Sequence, residues 1–149
     1  RATIGGSVRT FTPPARARQD EGIRRMAEGI AGAHGARAEV RYEKLCPATF
    51  NTAPEADHAA RAAVAVVGAG RVHRALPPCM GSEDFAYMLQ ARPGCYVWLG
   101  NGDGDGGCML HNPRYDFADA ALPLGISYWV KLVETVLAPG GQERGVERR

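Results

Sequence analysis

The absences in this sequence narrow it first. No stretch approaches the roughly 18 apolar residues that a membrane-spanning helix needs, so no membrane partner is expected. No signal peptide is recognisable. The chain opens at Arg1 without a methionine, and Thr3 to Phe11 already reads as a strand, as expected of a piece cut from a longer protein. An excess of one charge is also missing: 18 Lys and Arg stand against 16 Asp and Glu, a net charge of +2. The arginines cluster only briefly, at Arg16/Arg18, Arg24/Arg25 and Arg144, Arg148, Arg149, so no nucleic-acid partner is expected. The four cysteines, Cys46, Cys79, Cys95 and Cys108, form no C-x-x-C pair. That excludes a zinc ribbon or a thioredoxin-type motif and predicts reduced thiols, as in a cytoplasmic protein. There is no internal repeat.

What is present has the balance of a soluble globular protein: 45% hydrophobic and 23% charged residues. Thr3 to Phe11 reads as a strand stopped by Pro13-Pro14. A helix is predicted from Pro14 to His34, with Ile23, Met26, Ala27, Ile30 and His34 on one face and Arg16, Gln19, Asp20, Arg24 and Glu28 on the other. Gly35 stands where a C-terminal cap belongs. Residues 38–43 alternate, with Ala38, Val40 and Tyr42 on one side and Glu39, Arg41 and Glu43 on the other, as in a strand with one wet face.

A boundary is expected between Leu45 and Pro54. A helix follows from Glu55 to Gly68, with Ala56, Ala59, Ala60, Ala63, Val64 and Val67 as its buried stripe. A short strand is expected at residues 72–78. Ser82 is placed to cap a helix from Glu83 to Gln90 that buries Phe85, Met88 and Leu89. Residues 95–99 form a continuous apolar run, as in a strand buried on both faces. A glycine-rich loop at residues 100–107 leads to His111. A last helix is predicted from Leu122 to Leu137, with Tyr128, Trp129, Leu132, Val133 and Val136 inward. The polar tail 139–149 is expected to be disordered.

Open α/β sheets place their sites at strand ends, and the loop that leaves residues 95–99 leads to His111. On residue type alone, His111 is a loop histidine with or without a ligand role. Glu83 and Asp84 are adjacent, so they do not face each other on a helix, and favouring the helix dipole is the simpler role. The glycine loop lacks the Lys-Ser/Thr of a phosphate-binding loop, and Asp103 and Asp105 lack the glutamate of a calcium loop. His34, His58 and His73 read as structural or surface residues, and Trp98 and Trp129 as core.

Three segments carry a resemblance: Met80-Gly81-Ser82-Glu83-Asp84-Phe85, Trp98-Leu99-Gly100-Asn101-Gly102-Asp103, and Leu110-His111-Asn112-Pro113-Arg114-Tyr115-Asp116-Phe117. In this order and spacing they resemble the metallopeptidase-related amidohydrolases. That family includes hippurate hydrolase, N-acyl-amino-acid amidohydrolases and plant hydrolases of auxin–amino-acid conjugates. Gly6-Ser7-Val8-Arg9-Thr10-Phe11 and the stretch from Pro47 to Asn51 agree with it, and the similarity runs to about Leu137.

The resemblance implies an α/β fold. Residues 1–50 would be the second half of a ferredoxin-like α+β lid that mediates homodimer contacts, and residues 51–138 the closing half of an α/β catalytic domain. It implies hydrolysis of an N-acyl or N-aroyl amino acid, a small-molecule substrate, with two divalent metals, zinc or manganese. His111 would be a metal ligand. Gly81, Ser82 and Glu83 would lie beside the substrate pocket, with Ser82 either bonding substrate or capping its helix. Arg9 would meet a carboxylate or lie exposed on its strand. The family's Cys-Gly-His segment and its Glu-Glu pair, whose first member is the general base, do not occur here. Ala118 and Cys46 also depart from the pattern, where the family often has Asn and an aromatic residue. No catalytic residue is therefore expected in this chain, and the isolated chain is expected to be inactive. A non-catalytic dimerisation or binding module, or a degenerate relative that keeps only the fold, is the alternative.

Overall fold

The computed structural model describes residues 1–102 and 110–137. The expectations for Asp103, Asp105, Cys108, most of the glycine loop and the tail 139–149 lie outside the described residues. The chain forms two compact units. One is Arg1–Phe50 with Pro77–Arg92; the other is Asn51–Leu76 with the segment from Pro93 onward.

In the first unit, α1 (Pro13–Ala33) starts where the sequence dictates: Thr12 accepts from the Ala15 N–H through its side chain at 3.3 Å, and proline opens the first turn. It ends on the expected glycine. Gly35 takes φ +65°, and the Ala36 N–H reaches back to the Ala31 carbonyl at 2.8 Å while the Gly35 N–H bonds Gly32 at 3.0 Å. Both bonds satisfy carbonyls that the helix end leaves open.

The inward face of α1 differs from the expected one. Arg24 bonds Asp20 at 2.7 Å and the Val40 carbonyl at 2.9 Å, and Lys44 lies 3.7 Å from Asp20. These charge-assisted contacts turn a polar edge of the helix towards residues 40–44. Met26 and Ile30, expected inward, are exposed. The short α3 (Phe85–Ala91) buries Ala86, half-buries Phe85 and Leu89, and leaves Met88 exposed.

The second unit is built on α2 (Ala53–Val67) and α4 (Leu122–Leu137), which pack together. α2 buries Ala59 and Ala62, so its inward stripe is rotated from the expected one and Val64 is exposed. Small side chains on the contact face allow two helix backbones to approach closely. Short 3-10 turns occur at Ala69–Arg71 and Asp119–Ala121.

No strand forms among the described residues, which corrects the strands expected at 3–11, 38–43, 72–78 and 95–99. A strand is defined by ladder bonds to a neighbour, and a suitable sequence cannot supply the neighbour. The alternation at 38–43 survives without a ladder: Ala38, Val40 and Tyr42 are half-buried, and the three charged residues between them are exposed. At residues 94–96, side chains occupy the ladder positions. The Asn51 amide accepts from the Tyr96 N–H at 2.8 Å and donates to the Tyr96 carbonyl at 2.9 Å. Thr52 bonds Gly94 through both backbone and hydroxyl.

The hydropathy expectation also needs correction. Asp119–Leu137 spans 19 residues with mean hydropathy 1.3 and is long and apolar enough, by length and composition, to cross a membrane. This helix packs on α2 and carries the ion pair Lys131–Glu134 at 2.5 Å.

Candidate functional site

His111 lies in the second unit, exposed on a turn, and does not pack into a core. Its φ is 69°, which makes it the one non-glycine residue in the left-handed region among the described residues. An L-residue pays about 1–2 kcal/mol for that conformation, so the surrounding chain must hold it there.

The sequence shows what holds it. Pro113 bars its predecessor Asn112 from helical geometry. The Asn112 carbonyl accepts from the Tyr115 N–H at 2.9 Å, closing a turn, and the Asn112 side chain accepts from the Arg114 N–H at 2.9 Å. Beyond the turn, Asn101 accepts from the Ala118 N–H at 3.0 Å and donates to the Asp116 carbonyl at 3.4 Å. The rings of Tyr115 and Phe117 meet edge-on at 5.4 Å. The backbone carrying His111 is thus pinned on its C-terminal side, and the imidazole makes no hydrogen bond to another described residue.

A free neutral imidazole fits one ligand position of a divalent metal. Among the described residues, no three His, Cys, Asp or Glu side chains converge to complete such a site. No described residue therefore joins His111 in a metal-binding cluster.

Three groups in this unit have shifted acidities: Glu55, Cys95 and Tyr128, the last pushed up chiefly by burial. Hydrogen bonding from Thr52 holds the Glu55 carboxyl below its ordinary value, and burial pushes the Cys95 thiol up, with Glu55 adding to that effect. Glu55 and Cys95 lie where α2 begins beside residues 94–96, which Asn51 and Thr52 tie in place.

In the first unit, Nη1 of Arg9 donates to the Ser82 hydroxyl at 2.5 Å and to the Met80 carbonyl at 2.9 Å. Ser82 does not cap the following helix. The cap position falls on Asp84, and the Phe85 N–H is met by the Glu83 carboxylate at 3.3 Å. A charged donor outcompetes a backbone amide for the hydroxyl oxygen, which is why the expected cap does not form. Glu83 is half-buried, and Gly81 is exposed. A side chain added at Gly81 would meet only Cys79 Sγ at an ordinary 3.5 Å, so packing does not demand glycine there.

Arg9, Gly81, Ser82 and Glu83 thus come together in one unit, while His111 stands in the other. Sequence reasoning missed the roles of Asn51 and Asn101. Each is an amide side chain able to satisfy one N–H and one C=O at once. Asn101 closely follows the apolar run 95–99, whereas Asn51 lies 45 residues from its partner Tyr96 and carries no local signal.

Residues 3–135 match the family model described as peptidase family M20/M25/M40. The N-acetylcysteine deacetylase of Bacillus subtilis (strain 168) is 36% identical over 136 residues, covering 91% of this chain and 34% of that protein. The N-acetyldiaminopimelate deacetylase of Streptococcus suis (strain 05ZYH33) is 30% identical over 126 residues, covering 84% of this chain and 32% of that protein. The thermostable carboxypeptidase 1 of Saccharolobus solfataricus is 28% identical over 127 residues, 83% of this chain and 31% of that protein. The chain spans about a third of the length of these relatives. No solved structure matches it significantly.

Proposed function

Because this chain belongs to peptidase family M20/M25/M40, we propose that the protein it comes from is a metal-dependent amidohydrolase that removes the acyl group from an N-acyl amino acid. Family membership implies an α/β fold, and relatives named as deacetylases support amide hydrolysis. The observation that carries the reading is His111: an exposed imidazole without a partner among the described residues, held in the left-handed region by its own turn. A loop that keeps such a conformation for a ring with no hydrogen-bond partner among the described residues has the character of a functional site.

In this reading His111 supplies one ligand to a divalent metal, zinc or manganese, of which the family uses two. A bound divalent metal supplies Lewis acidity towards an amide carbonyl and an attacking water. The chain's own residues hold and orient. The Asn112–Tyr115 turn and the Asn101 cross-tie fix the imidazole. The Gly81–Ser82–Glu83 segment borders the pocket for the acyl-amino-acid substrate. A hydrolytic metal needs about three protein ligands, so the remaining ligands and the general base come from the rest of the protein. Residues 1–50 belong to a lid domain that pairs with its counterpart in a cytoplasmic homodimer, and residues 51–138 to the catalytic domain.

The test is hydrolysis of N-acetylcysteine and N-benzoylglycine by the full-length protein, with Mn²⁺ or Zn²⁺ added. Metal-dependent release of the free amino acid is expected, and the 149-residue chain alone should release none. A metal-loaded full-length protein that hydrolyses no N-acyl amino acid would remove the reading.

A further inference from the structure

The Arg9–Ser82 contact joins residues 73 positions apart, and a structural cap does not explain it. One nitrogen, Nη1, bonds both the Ser82 hydroxyl oxygen and the Met80 carbonyl, and so ties the two ends of the Met80–Ser82 segment together. Because Ser82 accepts from a guanidinium, its own hydroxyl hydrogen must point elsewhere. Ser82 is exposed, and that hydrogen meets no acceptor among the described residues. A hydroxyl that accepts from a cation is also a stronger donor, because successive hydrogen bonds polarise one another.

We propose that Arg9 is a positioning residue: its Nη1 fixes the Met80–Ser82 segment and aims the Ser82 hydroxyl as a donor to an oxygen of the acyl-amino-acid substrate. This rests on the reading that the segment borders the substrate pocket. Arginine suits the role because its planar group is pre-organised and always charged. A lysine presents a point charge on a flexible stem and restores the arrangement only in part.

The experiment uses the full-length protein as wild type, Arg9→Ala, Arg9→Lys, Ser82→Ala and the double variant Arg9→Ala/Ser82→Ala. Steady-state kinetics on N-acetylcysteine is read beside amide hydrogen exchange of residues 80–85, Tm and metal content. Arg9→Ala should raise KM by about 10- to 100-fold, the weight of a charge-assisted hydrogen bond, with metal content unchanged and exchange at 80–85 faster. Arg9→Lys should recover part of the loss. The double variant should be little worse than either single one, since both remove the same tie.

An unchanged KM in an active enzyme overturns the proposal, even if Tm falls, because the contact is then only structural. Multiplying effects in the double variant overturn it as well. If Arg9→Ala does not fold, Arg9→Lys and Ser82→Ala decide by the same readings. Should the wild type hydrolyse no N-acyl amino acid, the functional reading fails separately and the role of Arg9 towards substrate falls with it. Exchange at 80–85 then still shows whether the tie exists.

Discussion

The side-chain amide of Asn101 pairs with the backbone around Phe117 as a neighbouring strand would. Its oxygen accepts from the Ala118 N–H at 3.0 Å, and its nitrogen faces the Asp116 carbonyl at 3.4 Å. This cross-tie closes the stretch that contains His111. Replacing Asn101 by Ala leaves two backbone groups without that partner and should cost about 1–2 kcal/mol. Urea unfolding of the full-length protein measures the loss, and limited proteolysis should show earlier cutting between residues 110 and 118. An unchanged midpoint and cutting pattern would mean that the tie does not hold the loop.

Exchanging His111 for Gly separates strain from function. At φ 69° an L-residue is disfavoured and glycine is not. His111→Gly should therefore be as stable as wild type or about 1 kcal/mol more stable, while binding metal worse. A stabilised variant that keeps full metal affinity would show that the left-handed turn does not serve a ligand. Loss of stability would show that the ring packs against something in the full protein.

Where local rules suffice, the sequence was readable. The period of residues 23–34 predicted α1, and the position of Gly35 predicted its end. The observed φ of +65° at Gly35, with both return bonds, follows from chemistry contained within the six residues Ala31 to Ala36. The strands were not readable in the same way. Val40 and Tyr42 alternate correctly in burial, but whether a ladder forms depends on a neighbour that the pattern does not encode. Ser82 shows the other limit. Its sequence context is that of a helix cap, and an arginine 73 residues away takes its oxygen instead. The inward turn of Arg24 has the same cause, since its carbonyl partner lies at Val40. His111 is marked in the sequence only by resemblance, whereas its left-handed backbone is a property of the folded turn.

The start of α2 carries a pH dependence of definite sign. The Thr52 hydroxyl donates to the Glu55 carboxylate, and this bond, followed by the Glu55 backbone N–H, holds the carboxyl below its ordinary 4.5, against a smaller opposing effect of desolvation. A depressed folded value stabilises the fold above the unfolded value, and that contribution disappears as pH falls through the folded value. Glu55 should thus help down to about pH 4.5 and lose its contribution below it. Thr52→Val should move the Glu55 titration back towards 4.5, read by carboxyl-carbon NMR against pH. A midpoint identical in both proteins would assign the shift to something other than Thr52.

The most direct measurement is the metal bound by the full-length protein as wild type and as His111→Ala. Both are loaded with Zn²⁺ or Mn²⁺, dialysed and quantified per subunit, with affinity read by competition against a chelator. Loss of even a supporting residue around a metal weakens binding by about 10- to 100-fold, so removal of a direct ligand should do at least that. A metal-depleted His111→Ala protein with normal folding is expected. Equal metal content and equal affinity in the two proteins would contradict it.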